Sequence, residues 1–585
     1  MTRHWRQAGT WHGYSLDQAF CDVLIIGGGF AGLLAARAAA RQSMRTLVVS
    51  KGFAGADGVS AFAGGVVLYL LPEDDREAFQ IEHSRLSEGL SHPEAVRRVA
   101  EANMQLLGEL TDAGAPVERT PEGRPRRRWL PAAGRRYVPR LGFPSTELAR
   151  FLRQEALRAG ARVLDQTIIT RLQRTPNGGF WAVGFRRQEG MLVAIRAKAV
   201  VLAAGGCSWR GAHMGQHNVL GEGLALGLDA GARFLGMEFC TSYLATCSLF
   251  DTHGQDVLAA LGGRLRNRVG EDILERHGIE HPAPPHLTAF AMLTELRAGR
   301  GPIHFDLRGV PPAAREDWET QFHLVARGLH RTGVDIFEHP VVWLPGFTGS
   351  IAGGGGVRTL DLAGTTEVPG LFAAGDAAAR LALVGAGSGI TFLNVAWALV
   401  SGHWAGLAAA RHAAGEELSA TGVDELLRGL LETTVRPLCE PAPAQTGTLD
   451  QLLRHTQMLA VDPERNFFRT PERLQEADAQ LDACWERLHS TTVNDWHNLG
   501  RWYELRAMML ATRAMFHSAL ARQETRGWHR RLDYPERDPA LEKVWLVAEP
   551  TSDPSGERLP DFTVWPVELD EPEAFRATAC EEGAA

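Results

Sequence analysis

The feature that most constrains this chain is a glycine-rich turn that joins an apolar strand to a helix near the amino terminus. The strand VLII at 23–26 is followed by Gly27, Gly29 and Gly32 in the spacing G-x-G-x-x-G, and a second apolar strand completes the segment 22–52. Gly27 permits the turn, Gly29 lets a pyrophosphate approach the backbone, and Gly32 allows the helix to pack on the strand. The amino end of the helix stabilises the anion. The segment therefore predicts a βαβ unit that binds a dinucleotide.

Two later segments repeat the pattern of an apolar strand that runs into glycine. They are AKAVVLAAGG at 197–206 and VPGLFAAGDAA at 368–378. With the first junction, they suggest one dinucleotide-binding domain assembled from distant parts of the chain. The stretch 243–350 between them contains RAGRGPIHFDLRGVPP and is predicted to be an inserted cap. From about 425 the apolar residues recur with helical spacing, and the segments KVWLVAEP and DFTVWPVEL, on either side of TSDPSGERLP, predict two strands.

Composition excludes several other classes of protein. The 585 residues exceed what one hydrophobic core organises, and a net charge of -8 provides no basic field that would gather nucleic acid. The seven cysteines include no C-x-x-C pair, so neither a disulfide framework nor a zinc or iron–sulfur site is indicated, and no metal site is predicted. A reducing compartment fits this cysteine usage.

The sequence favours a cytoplasmic protein without a membrane span of its own. The amino terminus lacks the apolar core and cleavage site of a secretory signal. The uncharged stretch 381–410 is long enough to span a bilayer. However, Gly385, Gly387 and Gly389 interrupt it, which favours a glycine-rich turn feeding a buried helix. Membrane association, if any, would come through partner subunits.

The segment VVSKGFAGADGVSAFAGG resembles the serine–lysine pair and double glycine of the fumarate reductase and succinate dehydrogenase flavoprotein superfamily. That superfamily includes L-aspartate oxidase and the α subunit of adenylylsulfate reductase. The likeness covers nearly the whole chain and continues through VVLAAGG, LGEG, GGRLRN, GRGP, GLFAAGD and ETRGWHRRLDYP. The resemblance implies FAD as cofactor, contacted by Gly27, Gly29, Gly32, Ser50, Lys51, Gly64, Gly65, Gly205, Glu222, Gly375, Asp376, Asn394 and Val395.

The resemblance also implies the fold class and the division into domains. We expect an α/β protein with a Rossmann-like FAD-binding domain, an inserted α+β capping domain and a C-terminal helical domain. The expected ranges are 1–242 and 351–424 for the two parts of the FAD-binding domain, 243–350 for the capping domain, 425–535 for the helical domain, and 536–585 for a C-terminal strand pair and tail.

Departures from the family pattern point away from the family's usual substrates. Gly58 stands where succinate dehydrogenases attach FAD through a histidine, so the flavin is expected to be non-covalent. By the resemblance, Tyr243 stands in place of one substrate-binding histidine and a second histidine falls near Ile351. Gly389 stands in place of the arginine that clamps a carboxylate, and Leu261 in place of an acid of the proton path. A buried dicarboxylate without cationic partners costs several kcal/mol, so succinate, fumarate and aspartate are not expected as substrates.

Two residues are candidates for catalysis. Arg300, in GRGP, matches the family's proton-shuttling arginine, although a cap ion pair is an equal alternative and charge stabilisation is the safer role. Tyr243 could donate a proton or stack on the substrate, but could also be packing. Trp209 and Arg210 follow a glycine pair that is expected near the flavin, or lie in a surface loop.

Three further residues are more consistent with structure than with chemistry. His529, in ETRGWH, is expected to be structural, with the neighbouring arginine pinning the helical domain near the flavin. Cys207 and Cys240 fit small buried packing better than redox activity.

These features predict an FAD oxidoreductase that moves two electrons between a small substrate and a carrier. Because the sequence offers no cluster-binding cysteines, an iron–sulfur acceptor would be a separate subunit. One alternative is a stand-alone oxidase that produces peroxide. Another is an enzyme like the α subunit of adenylylsulfate reductase, and the non-enzymatic alternative is a scaffold that holds FAD only to dock partners.

Overall fold

The structure of the chain is a computed structural model. It describes residues 6–123, 125–131, 137–142, 145–211, 213–252, 257–388, 393–418, 424–438, 446–551 and 558–569.

The strand before the glycine turn lies in the middle of an eight-stranded sheet. The strands of this sheet are β1 (Arg6–Trp11), β2 (Tyr14–Ile26), β3 (Thr46–Val49), β7 (Arg162–Leu164), β8 (Thr167–Arg174), β9 (Phe180–Arg186), β10 (Met191–Leu202) and β17 (Leu371–Ala373). Their order is β7-β3-β2-β10-β9-β8, with β1 on β2 and β17 on β10. The pairs β2/β3, β2/β10 and β10/β17 are parallel. The carboxyl ends of these four strands therefore meet at one edge, and the predicted glycine junctions lie there.

Helices cover this sheet and bury its central strands. They are α1 (Phe30–Arg41), α2 (Arg76–Leu86), α3 (Pro93–Asp112), α4 (Ser145–Arg158), α5 (Glu222–Asp229), α11 (Leu381–Val384) and α12 (Leu393–Ala414). Two glycines explain the close packing of α12 on α1. A Cβ at Gly402 would lie 2.2 Å from the carbonyl oxygen of Ala31, and one at Gly406 would lie 2.3 Å from that of Ala35. The apolar stretch therefore packs inside the domain, and no helix of the described residues has the length and apolarity needed to cross a membrane.

The inserted segment forms a sheet and an apolar core of its own. Its elements are β12 (Tyr243–Cys247), α6 (Val257–Ala260), β13 (Arg264–Arg266), α7 (Ile273–Arg276), α8 (Pro285–Arg297), β14 (Ile303–Asp306), α9 (Pro312–Gln321), α10 (His323–His330) and β15 (Val341–Phe347). The antiparallel sheet has the order β12-β15-β14-β13. Phe305 and Trp343 form an edge-to-face pair in its core, with ring centroids 4.7 Å apart.

The carboxyl-terminal region is helical and closes with two strands. Its elements are α13 (Glu425–Val435), α14 (Thr446–Val461), α15 (Pro463–Asn466), α16 (Pro471–His489), α17 (Trp496–Ala521), β18 (Val544–Pro550) and β19 (Phe562–Glu568). The two predicted strands pair with each other, and β18 also pairs with β11 (Phe234–Leu235), which pairs with β16 (Gly356–Val357). Most of the turn between β18 and β19, 552–557, lies outside the described residues.

A fourth, small sheet and six 3-10 helices complete the secondary structure described. The sheet has the order β4-β6-β5 and consists of β4 (Val66–Leu68), β5 (Arg127–Pro131) and β6 (Tyr137–Gly142). The 3-10 helices are Val59–Phe62, Gln216–Asn218, Met237–Phe239, Gly349–Ile351, Gly375–Ala377 and Pro539–Leu541. The predicted fold class, an α/β domain of Rossmann type with an inserted cap and a helical C-terminal region, is confirmed.

Candidate active site

A large cavity of about 330 Å³ opens at the carboxyl edge of the main sheet. Every predicted cofactor residue except Gly32 and Gly65 lines it. The lining set is Gly27, Gly29, Ser50, Lys51, Gly64, Gly205, Glu222, Gly375, Asp376, Asn394 and Val395. These residues come from segments that are far apart in the chain, so the fold gathers them into one site.

The glycine turn has the shape that a pyrophosphate requires. Gly27 has φ +120°, and a Cβ there would lie 2.1 Å from the carbonyl oxygen of Ala203. A Cβ at Gly32 would lie 2.0 Å from the carbonyl oxygen of Gly27, so Gly32 packs the helix on the turn instead of lining the cavity. Helix α1 begins at Phe30 with Gly29 as its N-cap, which offers no side chain, and the backbone nitrogen of Phe30 donates to Ser60 Oγ over 3.2 Å. Its amino end is therefore suited to bind an anion.

A partly buried network of charges involves Lys51, which follows strand β3 in the chain. Lys51 forms ion pairs with Glu222 and Glu504, and Arg210 forms one with Glu504. Burial lowers the pKa of Lys51, but the two carboxylates outweigh it and hold that pKa above its usual value. Burial likewise raises the pKa of Glu504, while Lys51 and Arg210 bring it below its usual value. Both groups are charged at neutral pH, and the network joins the cofactor site to helix α17.

A second set of polar groups borders the cavity after β17. Asp376 forms an ion pair with Arg380, and burial raises the pKa of Asp376 while Arg380 opposes the shift. Arg380 also donates to the carbonyl oxygen of Ser350. The side-chain nitrogen of Asn394 donates to the carbonyl oxygen of Ile351 over 3.3 Å, whereas its Oδ1 is buried and has no hydrogen-bond partner among the described residues. This acceptor lies beside the cavity at the start of α12, where a bound cofactor could donate to it.

The cap closes the other side of the cavity. Its lining residues are Leu244, Asp251, Pro285 and Val325, and the same cavity is lined by His213, Met214, Ile351 and Ala352. His213 Nδ1 lies 2.6 Å from Asp251 Oδ1, and the backbone nitrogen of Met214 donates to Asp251 Oδ2 over 2.8 Å. The sequence did not single out this pair, because no motif marks it and the two residues meet only in the folded chain.

Tyr243 and Arg300, the two candidates for catalysis, do not line the cavity. The hydroxyl of Tyr243 donates to the carbonyl oxygen of Val461 over 2.8 Å, the side chain is buried, and burial raises its pKa. Arg300 donates twice to the carboxylate of Glu295, with Nε–Oε2 and Nη2–Oε1 distances of 2.7 Å. The predicted catalytic roles of Tyr243 and Arg300 stay predictions.

The positions that the resemblance assigns to dicarboxylate binding carry no cation among the described residues. Ile351 lines the cavity, Leu261 packs against the core of the cap, and Gly389 lies outside the described residues. Within the described part of the lining there is no arginine, and Lys51 is bound by two carboxylates. Gly58 lines the cavity with φ +73° and has no side chain that could attach a cofactor.

The carboxyl-terminal ETRGWH motif supports the cavity wall. Trp528 Nε1 donates over 2.6 Å to the hydroxyl of Ser388, which lines the cavity. Arg526 Nε and Nη2 donate to the two carboxylate oxygens of Glu524, and Arg526 Nη1 donates to the backbone oxygen of Glu88. His529 is fully buried, and burial lowers its pKa well below the usual value. A neutral histidine in this position fits a structural role.

Other candidates lie beside the cavity without lining it. Trp209 is buried, and its indole nitrogen donates to the hydroxyl of Thr512 over 2.9 Å. Cys207 and Cys240 are also buried, and burial raises the pKa of the Cys240 thiol to about 12. Because the thiolate is the reactive form, this environment fits packing better than redox chemistry.

Two family models match the chain. The FAD binding domain matches residues 22–391, and the fumarate reductase flavoprotein C-terminal region matches residues 460–572. The cradle at Gly27–Gly29, the amino end of α1 and the Asn394 acceptor beside the cavity fit FAD, so the predicted cofactor is confirmed. The resemblance to the fumarate reductase and succinate dehydrogenase superfamily is confirmed as well.

Alignments with curated relatives and with solved structures cover most of the chain. L-aspartate oxidase of Mycobacterium tuberculosis is 29% identical over 526 residues, which cover 88% of this chain and 92% of the relative. The 8-methylmenaquinol:fumarate reductase flavoprotein subunit of Wolinella succinogenes is 27% identical over 550 residues, with coverage of 89% of this chain and 87% of the relative. The structure of quinol fumarate reductase from E. coli shares the fold, with a TM-score of 0.78, 22% identity, and coverage of 94% of this chain and 97% of that chain.

Proposed function

Because the chain belongs to the FAD binding domain family and is an FAD-dependent oxidoreductase, we propose that it is the flavoprotein subunit of a multi-component dehydrogenase or reductase. In this proposal it passes two electrons between a small substrate that is not a C4-dicarboxylate and an iron–sulfur or other electron-carrier partner.

The residues at the sheet edge would hold the cofactor. The turn at Gly27–Gly29 and the amino end of α1 would bind the pyrophosphate, while Lys51, Asp376 and Asn394 provide polar groups along the same cavity. Bound FAD supplies two-electron chemistry at its isoalloxazine ring. Gly58, which lacks a nucleophilic side chain, supports non-covalent binding.

We exclude dicarboxylates as substrates on one observation, which is that the described lining of the cavity has no arginine. Two carboxylates on a small substrate need cationic partners, and the only lysine in the described lining is already bound to Glu222 and Glu504. Ile351 adds an apolar surface at a position where the family has a histidine. Burial of an unpaired carboxylate there would cost several kcal/mol.

The acceptor in this proposal is a separate subunit. The five cysteines in the described part of the chain are buried and free, and the sequence has no C-x-x-C, so a cluster within this chain is not supported. The relative from Wolinella succinogenes, whose name describes it as a flavoprotein subunit, supports the same role here. We place the protein in the cytoplasm, with any attachment to a membrane made through its partners.

A stand-alone oxidase is the second candidate. It is favoured by the 29% identity with L-aspartate oxidase over 88% of this chain. The purified single chain would then reoxidise its flavin with oxygen and release one peroxide for each substrate turned over. Absence of peroxide, with reoxidation only by an added iron–sulfur protein, would exclude this candidate.

The deciding experiment is an anaerobic screen that follows the visible absorbance of the bound flavin. Bleaching reports the reductive half-reaction whatever the acceptor is. Succinate and L-aspartate are included and are expected to leave the flavin oxidised, while dithionite verifies that the flavin can be reduced. Rapid bleaching by succinate would overturn the exclusion of dicarboxylates. A holoprotein that dithionite cannot bleach would overturn the assignment as a redox enzyme.

A further inference from the structure

The hydroxyl of Ser60 lies at the amino end of helix α1, beside the turn that is suited to a pyrophosphate. Its Oγ accepts from the backbone nitrogen of Phe30 over 3.2 Å, and Ser60, Gly29 and Phe30 all line the cofactor cavity. A Cβ at Gly29 would lie 3.0 Å from the same Oγ, so the glycine at the N-cap leaves room for the hydroxyl. Ser60 is only half-buried, and a group bound in the cavity can therefore contact it.

The 3-10 helix that carries Ser60 is held on both sides by side-chain hydrogen bonds. Before it, Oδ2 of Asp57 accepts from Nδ2 of Asn218 over 2.8 Å. After it, the hydroxyl of Ser145 donates to the carbonyl oxygen of Ala63. The position of Ser60 against α1 is thus fixed by the protein itself, which lowers the entropy lost when a ligand binds there.

The charges of the cavity leave the pyrophosphate to neutral donors. Lys51 is the lysine of the described lining, which contains no arginine, and it is bound by Glu222 and Glu504. The first turn of α1 has no acidic residue, so the partial positive charge of the helix end is not neutralised. An anion at this end is therefore bound by backbone N–H groups and by hydroxyls.

Ser60 has a donor to offer to such an anion. A hydroxyl has one hydrogen to donate and two sites that accept. One accepting site of Ser60 is used by the backbone nitrogen of Phe30, while the hydroxyl donates to no other group among the described residues. Because hydrogen bonds in a chain polarise one another, the bond from Phe30 makes the hydroxyl of Ser60 a better donor.

A second hydroxyl lies on the other side of the glycine turn. A Cβ at Gly28 would lie 2.9 Å from Oγ of Ser50, which also lines the cavity. The sequence predicted Ser50 as a cofactor contact, since it belongs to the serine–lysine pair. It did not single out Ser60, because the contact with α1 joins residues 30 positions apart and no motif marks it.

We propose that Ser60 binds the pyrophosphate of FAD by donating its hydroxyl hydrogen to a phosphate oxygen while it accepts from the backbone nitrogen of Phe30. The hydroxyl thereby links the amino end of α1 to the cofactor. This inference rests on the FAD site and is independent of the proposed substrate and electron-carrier partner. A hydroxyl that only caps α1 is the alternative, and the two roles differ in what they do to the phosphorus atoms of the bound cofactor.

The affinity for FAD gives the first test. The holoprotein is diluted in steps, and ultrafiltration separates bound from released FAD at each step. Ser60→Ala should raise the dissociation constant of FAD at least about tenfold, because a hydrogen bond to a charged group is lost. The control is Ser490→Ala, at an exposed serine whose hydroxyl donates to the carbonyl oxygen of Arg487, and it should stay within about twofold of wild type. A wild-type affinity in Ser60→Ala would overturn the proposal.

Phosphorus NMR of the holoprotein separates binding from capping. With FAD in excess, Ser60→Ala should shift at least one phosphorus resonance of the bound cofactor, whereas Ser490→Ala should leave both at their wild-type positions. The visible absorption spectrum of the flavin should not change, because the altered contact is at the pyrophosphate. A weaker affinity with wild-type phosphorus resonances would show that Ser60 only caps α1, and would overturn the proposal.

A pair of variants with the same shape tests the hydroxyl even if Ser60→Ala retains no flavin. Ser60→Thr keeps a hydroxyl, and Ser60→Val replaces that hydroxyl with a methyl group of similar size. Ser60→Thr should bind FAD at least about tenfold more tightly than Ser60→Val. Equal retention of FAD by the two variants would overturn the proposal.

Discussion

Lys51 Nζ lies 3.3 Å from Oε1 of Glu504, although 453 residues separate them in the chain. The same glutamate binds Arg210, and Lys51 also binds Glu222. Helix α17 of the C-terminal region therefore provides a buried carboxylate that two partly buried cations share next to the cofactor cavity. We therefore expect the cofactor site to keep its structure only when helix α17 is packed against it.

Replacement of Glu504 by glutamine should weaken both stability and flavin retention. Glu504→Gln leaves Arg210 without its carboxylate and Lys51 with only Glu222, which should cost about 3 kcal/mol of unfolding free energy. Denaturant unfolding and the ratio of flavin to protein after gel filtration measure the two effects. The control is Glu486→Gln on the exposed face of α16, which should change neither quantity. Equal stability of the two variants would contradict a structural role of the network.

Replacement of Gly27 by alanine should prevent cofactor binding. The residue has φ +120°, and the added Cβ would lie 2.1 Å from the carbonyl oxygen of Ala203, so the turn must open. We expect Gly27→Ala to be isolated without flavin and to be less stable by at least about 2 kcal/mol. Gly108→Ala is the matched control, because Gly108 lies in α3 with open space around its Cα. It should bind flavin normally and gain about 0.5–1 kcal/mol.

The flavin should be released when the protein is denatured by acid. The resemblance assigns to Gly58 the position at which succinate dehydrogenases attach FAD through a histidine, and Gly58 has no side chain to form a bond. All of the flavin is expected in the supernatant after acid precipitation, and the pellet should show no flavin fluorescence. Colour retained in the pellet would show that another residue holds the cofactor covalently.

Removal of the Tyr243 hydroxyl should affect stability more than rate. The hydroxyl donates to the carbonyl oxygen of Val461, and the ring packs edge to face against Phe347 and Phe467. Tyr243→Phe should therefore lose about 1 kcal/mol of unfolding free energy. The rate at which a substrate found in the anaerobic screen bleaches its flavin should stay within about twofold of the wild-type rate. Tyr534→Phe, at a tyrosine that is 39% exposed, is the control. A rate loss above about tenfold, with stability unchanged, would support the catalytic role that the sequence suggested.

The cofactor side of the site was predictable because it is built from local patterns. An apolar strand that ends in glycine predicts a strand-to-turn junction at each place where it occurs in the chain. Parallel pairing brings the ends of such strands to one edge of the sheet. Gly27, Ser50, Gly205 and Asp376 therefore lie along one cavity, as expected from the sequence. The pairing of the C-terminal strands follows similar local signals.

Other parts of the cavity region could not be predicted in the same way, because their residues meet only through tertiary packing. Glu504 lies in an ordinary helical segment, and only its burial beside Lys51 marks it. His213 and Asp251 are 38 residues apart, in regions without a motif. For Arg300 the motif did not predict the location of the side chain. The motif matches the family, but the side chain pairs with Glu295 outside the cavity lining.

The ion pair between Arg300 and Glu295 should make the stability of the cap depend on pH. The side chain of Glu295 is buried and accepts from Arg300, Asn267 and His277. Hydrogen bonds from Arg300 are the main cause that lowers the pKa of Glu295 from 4.5 to about 2. Because the folded state favours the ionised carboxylate, its stabilisation is complete above about pH 4.5 and is lost as the pH falls toward about 2.

The contribution of Glu295 can be separated from that of other acids by comparing variants. Glu295→Gln should be less stable than wild type above pH 4.5, and the difference should shrink steadily as the pH falls toward 2. The control Glu316→Gln, on the surface helix α9, should follow the wild-type curve throughout. Urea unfolding of the holoprotein at a series of pH values, followed by tryptophan fluorescence, measures both differences. If the unfolding free energies of Glu295→Gln and wild type differ by the same amount at every pH, protonation of the Glu295 carboxylate does not change the stability of the cap. Arg300 would then be held by contacts other than this ion pair.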